Sequence, residues 1–481
     1  MARVVYRSKA TLHGAFASLM TSIDAVNPGK GSSRLPSLTT QDRASFVAFG
    51  AIALLERAYR KAEEAASFLS CISLWPIALL FLPKINLISF GGETAGIRLD
   101  DIVLFVVVLV LLCGWITRLH FKLESVSTSA FVVIGLFCLS NLANREHSNV
   151  LYSLRLVEYL VFFWAGKSLV RSRFDFTSTV MLLAGLNCVV ILLQFGGLVG
   201  GFAAEGYTSS IARPFGISAN HPAEMGALLN MLFAALVFEE RGRASGRFWL
   251  WCLGIGVCIF ITESRSALAV HCVLTWLYQF QHAKNRTGFI LRSAFVTGAL
   301  IAAFIFVPNP VRERSTDLLS AQNVEAARQL YDSMPAEKQF TGFTEGGEAE
   351  DTPPDVDISW YMRGFKWTYV IKIMLTAPRD VWILGLGPGA LGPALDGGWL
   401  RLLAETGIAG TLAFLILLRK ISGLSRSCAM AVLALAANMV MVDSQNAYKV
   451  MAFLFLLAGC QVQKNLHRSR VLAAPDLSSK A

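Results

Sequence analysis

Charge is what this sequence has least of. Of 481 residues, 43 are Lys or Arg and 33 are Asp or Glu, 16% in all, against roughly 25% in an ordinary soluble domain. The uncharged residues are not scattered. Runs such as Asp101 to Ile116 (DIVLFVVVLVLLCGWI) and Ser293 to Val307 (SAFVTGALIAAFIFV) recur from Ala65 to Cys460. A soluble globular fold is disfavoured, because segments of this kind satisfy their backbone hydrogen bonds only as helices when lipid surrounds them. Cysteine pairing is also missing. All nine cysteines lie in or beside apolar segments, with no CxxC pair and none in the long hydrophilic stretch, so neither a disulfide framework nor a zinc site is indicated. The N-terminus lacks a signal-peptide core, since the apolar run from Gly14 to Met20 is short and broken. A retained N-terminal segment is expected instead. It carries a Gly/Ser/Pro-rich stretch (Pro28 to Ser37) and an amphipathic stretch (Ala44 to Tyr59) able to lie on a membrane surface.

What is present is an all-α pattern: a polytopic integral membrane protein with about twelve transmembrane helices and one long periplasmic loop. The expected spans are 65–82, 101–116, 128–142, 150–166, 176–198, 217–238, 248–262, 266–280, 289–307, 399–418, 428–442 and 447–460. Positive charge is retained on the cytoplasmic side of short connections. With the N-terminus inside, the inner connections hold fourteen Lys and Arg and the outer ones six, leaving out the long loop. Both termini are therefore expected in the cytoplasm. The organisation reads as a cytoplasmic N-terminal segment (1–64), nine helices (65–307), a periplasmic loop (308–398), three helices (399–460) and a cytoplasmic tail (461–481). The loop carries thirteen acidic and eight basic residues in a chain of net charge +10. It contains a polar helix (321–334), an acidic turn (344–357) and an amphipathic, aromatic helix (358–375) with Trp360, Tyr361 and Trp367. A connection this long with helices of its own is usually functional. The basic excess belongs to membrane orientation rather than to a nucleic-acid partner.

Ionisable residues in or beside spans are costly in hydrocarbon and are site candidates by default. Nine fall near the outer face: Arg155, Glu158, Arg213, His221, Arg265, Arg363, Asp396, Arg401 and Glu405. Arginines with a few carboxylates and no metal-ligand set suit a phosphorylated anion, which guanidinium forks bind bidentately. Each residue also has a plainer reading. Arg155 with Glu158, three apart, and Arg401 with Glu405, four apart, suit structural ion pairs. His221 precedes Pro222 at a helix start and suits capping, and Asp396 suits an N-cap. Arg213 and Arg265 have no opposite charge one helical turn away, which favours a functional role. The run Gly385-Leu386-Gly387-Pro388-Gly389 lacks the strand and the Gly-Lys-Ser/Thr ending of a phosphate loop, and reads as a turn before the next helix.

The segment Gly385 to Leu418 (GLGPGALGPALDGGWLRLLAETGIAGTLAFLILL) resembles the C-terminal region of the O-antigen ligase and O-antigen polymerase superfamily, in which a GxG turn precedes an L..L.E.G..G helix. Arg213-Pro214-Phe215-Gly216 with Asn220 and His221 is similar to its R..G...N element. Thr262 to Ser266 is similar to its T.SR element, and Arg363 with Trp367 to its R...W element. These pieces cover roughly residues 210 to 420 in the family's order. The resemblance implies metal-independent glycosyl transfer, without a cofactor, on the periplasmic face of a bacterial inner membrane. The donor would be an oligosaccharide on undecaprenyl diphosphate. Partners would be membrane lipid and polysaccharide chain-length regulators or export proteins.

Carried over by position, Arg213 and Arg265 would hold the diphosphate, with Arg363 and Arg401 beside them. Asp396 would assist deprotonation of the acceptor hydroxyl, with Glu405 and Glu158 in reserve. Arg155, Asn220, His221 and Trp399 would support the site. Ligase members carry a His near the position of Asp396, and the long loop here has none, which favours a polymerase over a ligase. A secondary transporter is the rival from another class. Carriers show repeated halves and midplane charges, whereas this chain shows no obvious repeat and its charges crowd one face.

Overall fold

The computed structural model describes residues 74–83, 86–89, 96–118, 124–144, 148, 150–171, 175–203, 206–208, 213–239, 245–282, 358–392 and 395–473, with isolated positions between 287 and 329. The chain divides into Met1–Ala66 and Ser67–Ala481, and every described residue belongs to the second unit. The expected N-terminal segment, most of the 289–307 helix, most of the 321–334 helix, the acidic turn at 344–357 and the end of the C-terminal tail lie outside the described residues.

The described chain is helical. After a helical end at 74–81, a hairpin of β1 (Asn86–Ser89) and β2 (Gly96–Arg98) runs directly into α1 (Leu99–Arg118). Helices α2 (Ser125–Ala143), α3 (Val150–Arg171) and α4 (Phe176–Phe195) follow, then a second hairpin of β3 (Gly201–Ala203) and β4 (Gly206–Thr208). Next come α5 (Pro222–Glu239), α6 (Ser245–Ile261), α7 (Arg265–His282), α8 (Ile358–Thr376), α9 (Arg379–Leu384), α10 (Gly398–Ser422), α11 (Arg426–Asn438) and α12 (Tyr448–Ala473). The two short hairpins lie in connections and are the departure from an all-helical reading. Two boundaries differ in an instructive way. The helix expected from Ile217 begins at Pro222, because 213–221 is a pinned turn, and the last helix runs on to Ala473 instead of ending at Cys460.

Among the described residues, α2, α4 and α10 are long and apolar enough to cross a membrane, and Pro222–Phe238, Phe248–Ile261 and Arg426–Asn438 are shorter apolar helices. Their outer faces remain apolar. Leu182 and Phe195 on α4, Leu250 and Leu253 on α6 and Leu412 and Ile416 on α10 are all exposed, an arrangement that suits hydrocarbon and not water.

The interior is organised around α5 and α12, which are buried on every side over Ala227–Phe238 and Tyr448–Gln463. A helix apolar all round belongs at the centre of a bundle. The α3 and α12 backbones approach so closely that a Cβ on Gly459 would overlap the Phe163 carbonyl, and one on Gly166 would lie 2.3 Å from the Leu456 carbonyl. Small residues at a crossing let helices gain dispersion contacts where no hydrophobic force drives them together. Polar chemistry marks the ends. Asp175 caps α4 by accepting from the Thr177 amide. Buried Lys449 donates to the carbonyls of Leu79 and Leu82, which closes the helical end at 74–81.

Candidate functional site

The region around α10 begins with a broken helix. Gly407 sits inside α10 at φ +65°, ψ −171°, and interrupts it. A break of this kind leaves carbonyls of the preceding turn without intrahelical donors, and the structure supplies others. The Leu386 amide donates to the Ala404 carbonyl at 2.8 Å and the Gly387 amide to the Glu405 carbonyl at 3.0 Å. Ser140 Oγ on α2 also donates to the Glu405 carbonyl, at 3.1 Å. The glycine-rich run at 385–389 is thus a turn, as read, and it completes the helix it lies against. Only glycine fits there: a Cβ on Gly385 would meet the Glu405 backbone at 2.3 Å, and one on Gly407 the Ile383 carbonyl at 2.3 Å.

Above this break lies a buried charge cluster. Arg401, wholly enclosed, donates from Nε to Glu405 Oε1 at 3.0 Å and from one terminal nitrogen to Asp443 Oδ2 at 2.8 Å. Its other terminal nitrogen donates to the Gly392 carbonyl, and the guanidinium lies 5.4 Å from the Tyr152 ring centre. Arg401, expected among the diphosphate-binding arginines, is therefore committed on every side to protein. The plainer reading of Arg401 with Glu405 as an ion pair describes the geometry. Glu405, expected as a reserve base, is equally enclosed.

Asp443 was not singled out in the sequence. Its carboxylate accepts from the Leu395 amide through Oδ2 at 2.8 Å and from the Gly397 amide through Oδ1 at 3.1 Å, straddling Asp396. The N-cap position of α10 belongs to Gly397, with no side-chain cap bond, so the Asp396 carboxylate does not cap the helix. Asp396 adopts φ +58°, one of two non-glycine residues with positive φ among those described. The other is Glu263, also φ +58°, in the Thr262 to Ser266 turn. Such conformations cost free energy and collect at functional sites.

The Asp396 carboxylate faces Arg363 of α8, with Oδ2 3.7 Å from Nε. Trp367 of the same helix donates from Nε1 to the Asp396 carbonyl at 3.2 Å. His221 lies within electrostatic reach of Asp396, Arg363, Arg213 and Glu224, so four residues singled out in the sequence share one electrostatic neighbourhood from three separate segments. His221 Nδ1 accepts from the Ala223 amide at 3.2 Å, a capping bond at the start of α5.

Arg213 is placed by two amides that sequence reading overlooked. Gln194 Oε1 accepts from the amides of Phe215 and Gly216, and its Nε2 donates to the Gly216 carbonyl. Asn187 Oδ1 accepts from the amides of Ile217 and Ser218. Both lie seven residues apart on α4, on one face of an otherwise apolar helix, and that spacing was the available signal. Arg265 opens α7. A Cβ on Gly226 of α5 would lie 2.5 Å from Ala267 Cβ and 3.2 Å from Ser264, so the first turns of α5 and α7 are side by side. Arg265 accordingly stands at the same end of the bundle as His221.

The supporting residues divide. Arg155 donates to the Asn446 carbonyl at 3.4 Å and covers Tyr152 at 4.7 Å. With Glu405, Tyr159 and Asn446 it lines a small cleft. Glu158 shares its field with Asp101, Arg155, Asp100 and Arg98. Trp399 donates from Nε1 to the Ala436 carbonyl at 2.8 Å, which ties α10 to α11. Asn220 Oδ1 is buried without a partner in the described structure. Among the described residues no three His, Cys, Asp or Glu side chains are arranged to hold a metal ion. No protein-family model matches this chain, and no curated protein matches it.

Proposed function

We propose that this protein is a polysaccharide polymerase that joins undecaprenyl-diphosphate-linked oligosaccharide repeat units on the periplasmic face of a bacterial inner membrane. The reading includes about twelve crossings with both termini in the cytoplasm. The observation that carries it is the pairing of Arg363 with Asp396 in the electrostatic neighbourhood of His221 and Arg213, with Asp396 held left-handed and its carboxylate kept off the helix cap.

In the proposed step the bond from the anomeric carbon to the diphosphate oxygen breaks and its electron pair leaves with the diphosphate. The acceptor hydroxyl oxygen forms the new bond to that carbon, and its proton passes to the Asp396 carboxylate. Negative charge grows on the leaving group, so arginines already in place stabilise the transition state more than the ground state. A carboxylate is a competent acceptor of a sugar hydroxyl proton. Arg213, Arg265 and Arg363 are the diphosphate-side groups, and Arg401 is the tie that shapes the turn. The contact between Arg363 and Asp396 is long and partly exposed, so an incoming phosphate oxygen can replace it.

A ligase is the second reading, favoured by His221, which stands near Asp396 although the long loop holds no histidine. One experiment separates the readings. The gene is deleted, and surface and lipid-linked glycans are separated by size. Accumulation of single repeat units on undecaprenyl diphosphate, with loss of long chains, supports the polymerase. Long lipid-linked chains that never reach their acceptor indicate the ligase, and an unchanged profile sinks both in favour of a transporter.

A further inference from the structure

The Asp396 turn is held from outside its own helix. Leu395 and Gly397 flank Asp396, and both of their amides donate to the same carboxylate, Asp443, in the turn between α11 and α12. Two amides pointing at one acceptor from either side of a residue restrict that residue's φ and ψ, and Asp396 is found at φ +58°. Without an external acceptor this conformation would relax, since a left-handed backbone is costly at a non-glycine residue. Asp443 is itself fixed by Arg401 at 2.8 Å, and Arg401 by Glu405 at 3.0 Å and the Gly392 carbonyl. The chain of contacts thus runs from the break in α10 to the backbone on either side of Asp396.

The Asp443 carboxylate accepts from two backbone amides and one buried guanidinium, contacts that make it a support for the turn. Trp367 closes the turn from the other side, donating to the Asp396 carbonyl at 3.2 Å and leaving no room for a Cβ at Gly397, which would fall 2.7 Å from its Nε1. Between Asp443 and Trp367 the peptide is gripped on both faces, and the Asp396 side chain is left pointing at Arg363.

We infer that Asp443 is a positioning residue for the reaction proposed above: it aims the Asp396 carboxylate by clamping the amides on either side of it. This rests on the assignment of Asp396 as the base. An error of about 1 Å in the placement of a reacting group costs on the order of 100-fold in rate, so losing the clamp lowers kcat while substrate affinity, set by the arginines, is kept.

The test uses the full chain in lipid nanodiscs and, as substrate, the lipid-linked repeat units that accumulate in the deletion strain. Asp443→Asn keeps the volume and one acceptor oxygen, and Asp443→Ser serves if it fails to accumulate. Expected is a fall in kcat of roughly 100-fold with KM within about twofold, together with faster hydrogen exchange at the amides of residues 395–397 and unchanged exchange in the rest of α10. A structural role alone would leave kcat of the folded protein unchanged and spread faster exchange through α10, α11 and α12. A rise in KM with kcat preserved, or normal kcat with the 395–397 amides released, overturns the inference. Wild-type protein that fails to act on the lipid-linked units overturns the polymerase reading instead, and the exchange data still show whether the clamp exists.

Discussion

Two arginines with the same sequence credentials have opposite surroundings. Arg401 has its guanidinium enclosed between Glu405, Asp443 and the Gly392 carbonyl, whereas Arg213 sits on a pinned turn beside His221, with its side chain partly exposed. The two therefore fail differently when truncated. Removing one member of a buried charge group leaves the others uncompensated, at about 3–5 kcal/mol. Arg401→Ala is expected to reduce the amount of protein in the membrane and its melting temperature in detergent. Arg213→Ala and Arg265→Ala are expected to leave the protein at normal levels and to abolish long polymer. Normal polymer length in either of the latter would remove the diphosphate role assigned to it. Lysine at 213 or 265 should also impair strongly, because an ammonium cannot form the bidentate fork. The residue that sequence inspection passed over, Asp443, shares its short polar stretch with Ser444, Gln445 and Asn446 between two apolar runs. A carboxylate there is costly without a role, and that was the signal.

At the scale of elements, the break in α10 is the feature on which the rest depends. Gly407 frees the Ala404 and Glu405 carbonyls, the Leu386 and Gly387 amides take them, and the turn that ends in Asp396 is anchored at both ends. Gly407→Ala would require a positive φ from a residue with a Cβ and a contact at 2.3 Å with the Ile383 carbonyl. Substitutions at an incompatible glycine destabilise by more than about 1 kcal/mol. A lowered melting temperature is expected, with loss of activity greater than the loss of protein. Equal activity and stability would mean that the kink is not needed. The L..L.E.G..G spacing was visible in the sequence, but nothing in it said that the glycine breaks the helix, because a glycine inside an apolar helical pattern is ordinarily tolerated. The positive φ at Gly407 comes from the docked 385–387 run, a contact about twenty residues away in sequence.

At the scale of the molecule, the helices turn apolar faces outward and gather polar groups inward, with α5 and α12 enclosed at the centre. The orientation proposed for this bundle has a direct check. A fluorescent reporter fused after residue 481 should light in the cytoplasm, and a phosphatase reporter inserted near residue 345 should be active only outside it. Reporters on the opposite sides would invert the topology and place the Asp396 group on the cytoplasmic face, where the proposed substrate is not presented.

Helix positions were legible in the sequence because they depend on local hydrophobicity. In hydrocarbon the backbone has no other solution, and the described helices follow the apolar runs to within about four residues apart from the end of α3, the start of α5 and the end of α12. The candidate arginines and Asp396 were legible as types, since an ionisable group at a span end is rare. Which of them share a site was not, because that depends on which helix ends become neighbours. Only the tertiary structure showed Arg401 buried among acceptors from Gly392, Glu405 and Asp443, and Arg213 on a half-buried turn whose backbone is pinned by Gln194 and Asn187. The physical reason is that burial and the acceptors around a guanidinium are set by which helices and turns fold against it, and those come from distant parts of the chain.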